Sequence, residues 1–167
     1  MDRPLVILLV EDNEDHAMLV TLALEEVNMG YGLHWVKNGE EAMDYLYQKD
    51  MFAKTEDNPR PDLILLDLRL PLMDGHEVLK AVKESCDLKT IPVVILTSSE
   101  NQGDITRAYS NYANSYLVKP MSSDLLVKMV NPEENTGSNG IDIRYNKANQ
   151  KVDNSWQVRH RSQEESK

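Results

Sequence analysis

Short, almost wholly apolar runs recur along the chain. Three are pronounced, at Leu5–Val10, Leu63–Leu66 and residues 92–96, and two weaker ones lie at residues 33–36 and Ser115–Val118. Continuous apolar runs of this length are typical of strands that are buried on both faces of a parallel sheet. The pattern therefore predicts five strands.

Between these runs, apolar side chains recur at helical spacing. The four sets are Ala17, Leu19, Val20, Leu22, Ala23 and Val27; Ala42, Met43, Leu46 and Tyr47; Val78, Leu79 and Val82; and Ile105, Ala108, Tyr109 and Tyr112. Alternating strands and helices imply parallel pairing through right-handed crossovers, and five such units build a doubly wound α/β domain. We expect this domain to span residues 1–130, with helices on both faces of the sheet.

Two segments interrupt this alternation. Residues 50–61 are polar and contain two prolines, which predicts a long loop before the third strand. After residue 130, Asn131 and Pro132 end the fifth predicted helix early, and residues 131–167 are rich in Asn, Ser, Gln and charge. We expect a polar tail, flexible or engaged in protein contacts, although alternating apolar residues at 141–145 leave one short strand open.

Charge and composition narrow the classes of partner. A formal net charge of −10 argues against nucleic acid and anionic membranes, because both bind basic surfaces. The apolar runs are far shorter than the roughly 20 residues of a membrane-spanning helix, and the N-terminal residues do not resemble a signal peptide. A single cysteine, Cys86, allows no intrachain disulfide. These features favour a cytoplasmic protein whose partners are other proteins.

Acidic residues follow two of the predicted strands at once. Glu11 and Asp12 come directly after the first strand, and Asp67 comes directly after the third. If those strands are neighbours, three carboxylates converge at the carboxyl edge of the sheet, where the ligand site of such folds lies. A divalent cation would relieve their repulsion, and hard oxygen ligands favour Mg²⁺. Capping of the first helix by Glu11, Asp12 and Asn13 explains the first pair equally well.

The residues at two further strand ends favour a ligand site over simple capping of the first helix. Thr97 ends the fourth strand, and Lys119 follows the fifth, so a hydroxyl and an ammonium reach the same edge. A carboxylate can attack phosphorus to form an acyl phosphate, and phosphoryl transfer requires mainly positioning and neutralised charge. Mg²⁺ and Lys119 would supply positive charge, Thr97 one hydrogen bond, and backbone amides after Asp67 and Thr97 the rest of the cradle.

With these groups at its strand ends, the sequence resembles the CheY-like receiver domains of two-component signalling. The matching segments are LLVEDN at 8–13, DLILLDLRLPLMDGHEVL at 62–79, IPVVILTSS at 91–99 and YLVKP at 116–120. The resemblance implies a flavodoxin-like, five-stranded parallel sheet of strand order 2-1-3-4-5. It also implies a cis bond between Lys119 and Pro120, the isomer that only prolyl bonds adopt at low cost.

The resemblance further assigns a role to each site residue. Asp67 is then the phospho-acceptor, with Thr97 and Lys119 contacting the phosphoryl group. Mg²⁺ is bound by Glu11, Asp12, Asp67 and the main-chain carbonyl of Arg69. Thr97 and the aromatic Tyr116 form the switch, and we hypothesise that the side chains of Arg69 and Ser99 tune the lifetime of the phosphorylated form.

The implied function is a single-domain response regulator that accepts a phosphoryl group from a sensor histidine kinase. It would signal to an unidentified downstream protein by a phosphorylation-dependent change of conformation, with no enzymatic activity beyond self-phosphotransfer and autodephosphorylation. The long loop before the third strand most resembles regulators that pair with phytochrome-type and related archaeal or bacterial kinases. A homodimer is left open, because the early end of the fifth helix alters a common dimer surface.

Three alternative functions compete with this interpretation. A phosphohydrolase of the haloacid dehalogenase type also uses Asp, Thr and Lys at strand ends, but it resembles Asp-x-Asp at the nucleophile, whereas Leu68 and Arg69 follow Asp67 here. A DNA-binding regulator needs an output domain of roughly 50 residues, which residues 131–167 are too few and too polar to build. A degenerate receiver that serves only for docking would not need the intact set of site residues.

Overall fold

A computed structural model of the protein describes residues 3–26, 30–53 and 57–120. Three expectations lie outside these residues: the fifth helix, the polar tail at 131–167 and the short strand at 141–145. The contribution of Val27 to the first helix lies outside them too.

Strands and helices alternate along the described part of the chain. The strands are β1 (Leu5–Val10), β2 (Tyr31–Val36), β3 (Leu63–Leu66), β4 (Val93–Thr97) and β5 (Ser115–Val118). The helices are α1 (Glu14–Glu25), α2 (Gly39–Leu46), α3 (Gly75–Glu84) and α4 (Gln102–Ser110), with a short 3₁₀ helix at Asp50–Phe52 in the loop before β3.

The strands form one parallel sheet of order β2-β1-β3-β4-β5, which confirms the predicted topology. Val10 is paired with Leu66, Leu66 with Ile95, and Ile95 with Tyr116, so the carboxyl ends of β1, β3, β4 and β5 lie at one edge. Because β1 and β3 are neighbours, the condition for convergence of their carboxylates is met. The change of strand order between them places the ligand edge next to β1 and β3.

Two hydrophobic clusters hold the layers together, one on each face of the sheet. On one face, Leu8 and Leu66 pack with Val78 and Leu79 of α3 and with side chains of α2 and α4. On the other face, Ile7, Leu9 and Leu65 pack with side chains of α1, including Val20 and Leu24. The strands therefore carry apolar residues on both faces, which is why they read as continuous apolar runs.

Local signals set where the helices begin. Asn13, Asn38 and Asn101 precede α1, α2 and α4, and each side chain accepts a hydrogen bond from a backbone amide of the first turn. Asp74 and Glu77 form a reciprocal capping box at the start of α3. These caps fix the helix starts next to the carboxyl edge of the sheet.

The structure corrects three of the predicted boundaries. Tyr112 lies beyond the end of α4, in a left-handed turn with φ 63°, and is exposed. Tyr47 follows α2 as its C-cap and is also exposed. β2 begins at Tyr31, earlier than its apolar run suggests, because Gly32 pairs with Val6 through backbone contacts that need no side chain. Aromatic residues near helix ends fit helical spacing without belonging to the helix.

Candidate functional site

Three charged side chains from three strand ends meet at the carboxyl edge of the sheet. Glu11 and Asp67 are buried, with 1% and 5% of their surfaces exposed. The ammonium of Lys119 lies 2.9 Å from Oδ2 of Asp67 and also donates to Oε2 of Glu11. The predicted convergence of acid, nucleophile candidate and ammonium is therefore present in the structure.

Lys119 is more enclosed than its sequence position suggests. Although Lys119 follows an edge strand of the sheet, only 12% of its side chain is exposed. The reason is electrostatic, since the ammonium lies between the buried carboxylates of Glu11 and Asp67. The Lys119–Pro120 peptide bond is cis, as the resemblance implies.

Burial is the largest influence on the pKa of the Glu11 carboxyl. Loss of solvent raises the pKa of the Glu11 carboxyl, and the nearby charge of Asp67 raises it further. The hydrogen bond and the positive charge of Lys119 act in the opposite direction. Without a balancing cation, the carboxylate pair would be poorly tolerated at this edge.

Backbone amides complete the surroundings of Asp67 and Thr97. The amide of Arg69 donates to Oδ1 of Asp67 at 3.2 Å, and the amide of Ser99 donates to Oγ1 of Thr97 at 3.3 Å. Thr97 is fully buried as the last residue of β4. Both amides lie in the two loops that were expected to supply the cradle.

Gly75 allows α3 to start directly against the Asp67 strand end. A Cβ atom at this position would lie 2.1 Å from the carbonyl oxygen of Asp67 and 2.6 Å from Cα of Leu68. Both are backbone atoms, which cannot move aside cheaply. A side chain at this position would clash with the backbone of Asp67 and Leu68, which accounts for glycine at the start of α3.

Asp12 and Asn13 differ from Glu11 in their surroundings. Asp12 is exposed, and Asn13 caps α1 by accepting from the amide of His16 at 3.0 Å. Oε1 of Glu11 accepts from the amide of Asn13 at 3.2 Å while Oε2 contacts Lys119. Asn13 therefore caps α1, whereas Glu11 faces Lys119 at the carboxyl edge of the sheet.

His16 joins the site, which the sequence analysis missed. Nδ1 of His16 lies 3.5 Å from Oε1 of Glu11 and 3.3 Å from the Lys119 ammonium. Among the described residues, Glu11, His16 and Asp67 offer ligand atoms that lie within 4.8 Å of one another, a group able to hold a metal ion. The available signal was the position of His16 in the first turn of the helix that follows Glu11.

A second polar cluster lies beside the first and is centred on Asp104 of α4. Its carboxylate accepts from Ser99 Oγ at 2.5 Å and from Arg69 at 3.2 Å, and Nε2 of the buried His76 lies 3.2 Å away. These bonds lower the pKa of Asp104, with the Ser99 hydroxyl as the largest cause. The two residues suggested to tune lifetime therefore share one acceptor, which the sequence did not reveal.

Tyr116 extends this cluster to β5. Its hydroxyl donates to the backbone carbonyl of Ser99 at 2.9 Å, and its ring packs against the cluster on the α2–α4 face. Burial raises the pKa of the Tyr116 hydroxyl, which keeps the group a neutral donor. β5 is thereby joined to the loop that follows Thr97.

The sequence model of the response regulator receiver domain matches residues 7–131 of the chain. The chain belongs to this family. The assignment accounts for the order of the strands and for the acidic, hydroxyl and ammonium groups at their ends. It places the protein in two-component signalling as a response regulator, and nothing in the comparisons points to the phosphohydrolase or docking-only alternatives.

Among relatives of this receiver, the probable methanogenesis regulatory protein FilR2 of Methanothrix harundinacea is 46% identical over 129 residues, 77% of this chain and 81% of the relative. Response regulator Rcp1 of Synechocystis sp. is 44% identical over 127 residues, 76% of this chain and 84% of Rcp1. Both relatives support a receiver that switches with phosphorylation.

Solved structures agree with the fold of this receiver. The crystal structure of Mn²⁺-bound Rcp1 has a TM-score of 0.67 and 43% identity, with coverage of 75% of this chain and 88% of that one. The crystal structure of the phosphorylated cyanobacterial phytochrome response regulator RcpA has a TM-score of 0.68 and 41% identity, covering 75% and 87%. In the described part of the receiver, no helix is both long and apolar enough to cross a membrane.

Proposed function

We propose that this receiver accepts a phosphoryl group on Asp67 from a phosphohistidine of a sensor kinase. An Asp67 carboxylate oxygen attacks phosphorus, the bond from phosphorus to the imidazole nitrogen breaks, and the imidazole leaves with that electron pair. The observation that carries the proposal is the contact between the Lys119 ammonium and Oδ2 of the buried Asp67 carboxylate. Lys119 can then neutralise charge that develops on the transferred group.

The donor set at this edge fits a divalent cation. Glu11 and Asp67 offer buried carboxylate oxygens, and the exposed Asp12 and the main-chain carbonyl of Arg69 complete the proposed oxygen ligands. A bound Mg²⁺ would neutralise charge on the phosphoryl oxygens and on the two acids. Receiver domains bind divalent metals, and the solved Rcp1 structure is a Mn²⁺-bound form.

The hydroxyl of Thr97 is the proposed donor to the phosphoryl group and the start of the switch. The amide of Ser99 now donates to this hydroxyl, and the Ser99 carbonyl accepts from Tyr116. A movement of Thr97 toward the phosphoryl group would therefore be transmitted through the Ser99 backbone to the β5 aromatic. Phosphorylation would stabilise one of two packings of this loop, β5 and α4.

Arg69 and Ser99 remain our candidates for tuning the lifetime of the acyl phosphate. Each lies two residues past a site residue, and Asp104 holds both side chains. Their positions at the mouth of the site govern how water approaches phosphorus. The chemistry assigned to the protein itself is thus limited to self-phosphotransfer and autodephosphorylation.

The proposed partners are proteins. Receivers of this family interact with histidine kinases, and the similarity to Rcp1 and to the phytochrome response regulator RcpA favours a phytochrome-type or related kinase. The net charge of −10 argues against nucleic acid and anionic membranes as partners. The proposed location is the cytoplasm. The remaining proposed partners are a second copy of the chain, in a homodimer, and a downstream protein. Phosphotransfer profiling combined with measurement of oligomeric state tests the kinase and the homodimer.

The test is labelling from acetyl phosphate and Mg²⁺, detected as a base-labile increase in mass. We expect the wild-type protein to be labelled on Asp67 and the Asp67→Asn variant to remain unlabelled with its fold intact. Asp62→Asn is unsuitable as a control because Asp62 is held by Arg3 and by the amide of Val6. Asp15→Asn, an exposed acid in α1, serves instead and should label normally. Labelling of Asp67→Asn would refute the assignment.

A further inference from the structure

We propose that His16 is a nitrogen ligand at the metal position of this receiver, binding through Nδ1, and that it shifts metal preference toward the later first-row dications. The inference rests on the proposed function only in that it uses the same metal position beside Asp67. It adds a residue, and with it a selectivity, that an all-oxygen ligand set would not provide.

The first support is the distance between candidate ligand atoms. His16 Nδ1 is 3.5 Å from Oε1 of Glu11, and one atom each of Glu11, His16 and Asp67 lie within 4.8 Å of one another. Ligands of one ion, with bonds of about 2.1 Å, lie roughly 3 to 4.3 Å apart. Small side-chain rotations therefore suffice to bring all three atoms into one coordination sphere.

The second support is the cation already present among these three groups. The Lys119 ammonium lies 2.9 Å from Asp67 and 3.3 Å from His16 Nδ1, and it also contacts Glu11. The same three residues that form the candidate ligand group thus surround a positive charge. Glu11, His16 and Asp67 together stabilise a positive charge, and His16 contributes one of the three contacts.

The orientation of the imidazole follows from the chemistry of lysine. An ammonium carries three donors and no acceptor, so the 3.3 Å contact between Lys119 Nζ and Nδ1 of His16 is a hydrogen bond when the ring proton lies on Nε2. In that tautomer the lone pair of Nδ1 is directed at the Lys119 ammonium. A metal ligand uses that same lone pair of the neutral ring.

The structure holds His16 in this place through the start of α1. The amide of His16 donates to the Asn13 side chain at 3.0 Å, and the next residue, Ala17, is buried against the sheet. The His16 side chain is 40% exposed, so a hydrated ion can reach it without any opening of the core. The ligand is both anchored and accessible.

The expected consequence concerns which metal binds best. Mg²⁺ strongly prefers oxygen ligands, whereas imidazole favours the dications from iron to zinc, with affinity rising from iron through cobalt and nickel to copper. Replacing one oxygen or water ligand by Nδ1 should therefore raise the affinity for Ni²⁺ or Co²⁺ far more than that for Mg²⁺. The preference should disappear when the nitrogen is removed.

The direct test is pulsed electron paramagnetic resonance of the full chain loaded with Mn²⁺, which detects ¹⁴N nuclei bound to the ion. We expect a ¹⁴N coupling in the wild-type protein and in His34→Gln, a control that removes a β2 histidine packed on Tyr45. The coupling should be absent from His16→Gln. Mn²⁺ bound without a ¹⁴N coupling in the wild type, or a coupling that persists in His16→Gln, overturns the proposal.

The second readout is affinity, measured by competition of Ni²⁺ and of Mg²⁺ with bound Mn²⁺. We expect His16→Gln to lose at least about tenfold in Ni²⁺ affinity and less than about twofold in Mg²⁺ affinity. Equal losses for both metals, or no loss for Ni²⁺, would contradict a ligand role. Retained Mg²⁺ binding also shows that the variant is folded.

Acetyl-phosphate labelling of the same preparations separates this inference from the proposed function. Labelled Asp67 without a ¹⁴N coupling would sustain the receiver chemistry and remove His16 from the metal. A ¹⁴N coupling in a protein that cannot be labelled would leave His16 as a ligand and refute phosphoryl acceptance. The two proposals therefore fail in different measurements.

Discussion

The ammonium of Lys119 lies 2.9 Å from Oδ2 of Asp67 and at the same time donates to Glu11. One cation thus balances two buried carboxylates that arrive from the ends of β1 and β3. Breaking a buried pair by removing one partner is costly, because the remaining charge is left uncompensated. The same group that we propose for phosphoryl binding therefore also supports the fold.

Lys119→Met should lower the free energy of unfolding by about 3–5 kcal/mol in the absence of divalent metal. Saturating Mg²⁺ should restore most of the loss, since it neutralises the same two carboxylates. Urea unfolding with and without Mg²⁺ measures both effects.

The control for that experiment is Lys80→Met. Lys80 is exposed on α3 and forms only a surface pair with Glu84 at 3.9 Å, so its loss should change stability by less than about 0.5 kcal/mol with or without metal. A Lys119→Met variant that is as stable as Lys80→Met without Mg²⁺ would contradict the balancing role of Lys119.

Tyr116→Phe should distinguish the contribution of the Tyr116 hydroxyl from the contribution of its packed ring. The variant loses the 2.9 Å bond to the Ser99 carbonyl but keeps the ring. We expect a loss of about 0.5–1.5 kcal/mol in unfolding free energy and unchanged labelling of Asp67. The change in amide hydrogen exchange of α4 on phosphorylation should become smaller.

Tyr112→Phe provides the matched change, because Tyr112 is an exposed aromatic past the end of α4. It should leave the exchange pattern of α4 as it is in the wild type. An identical response of α4 in both variants would show that the Tyr116 hydroxyl does not carry the switch.

Asp104 should couple the effects of Arg69 and Ser99 on the lifetime of the phosphorylated form. Both side chains donate to its carboxylate, so removing one changes the environment of the other. We expect Arg69→Ala and Ser99→Ala to be non-additive in half-life by about twofold or more, and additive in an Asp104→Asn background.

The half-life of base-labile label, followed after removal of acetyl phosphate, gives this double-mutant cycle directly. Glu100→Gln, an exposed acid in the same loop, is the control background and should preserve the non-additivity. Additive effects in the otherwise wild-type protein would show that Asp104 does not link the two positions.

Lys83 gives the fold a pH dependence that is separate from the site. Its ammonium donates to the Ile91 carbonyl and to Asn114, and burial lowers its pKa to about 8 from 10.5. Between these two values the unfolded chain binds more protons than the folded chain, so the contribution of Lys83 to stability rises with pH. Below about pH 8 the cost of burying the charge is fully present.

The measurement is the difference in unfolding free energy between wild type and Lys83→Met across this range. We expect the difference to shift in favour of the wild type by about 1–3 kcal/mol as the pH rises from 8 to 10.5. The corresponding difference for Lys80→Met should stay flat. A difference for Lys83→Met that falls with pH would contradict the direction of the shift.

The sequence by itself determined which segments form strands and which charged residues follow them. Continuous apolar runs mark strands buried on both faces, and the residues directly after them, such as Glu11, Asp67 and Lys119, must reach one edge of a parallel sheet. Asn and Asp caps mark the helix starts by short-range hydrogen bonds. These features depend on neighbours in the chain, so they can be read from the order of residues.

Only the tertiary structure decided which side chains complete the site. His16 meets Lys119 across 103 positions of the chain, and Asp104 meets His76 across 28. The enclosure of Lys119 likewise follows from carboxylates on other strands. Distances of this kind depend on how helices pack on the sheet and how side chains turn, and no local pattern of polar and apolar residues encodes them.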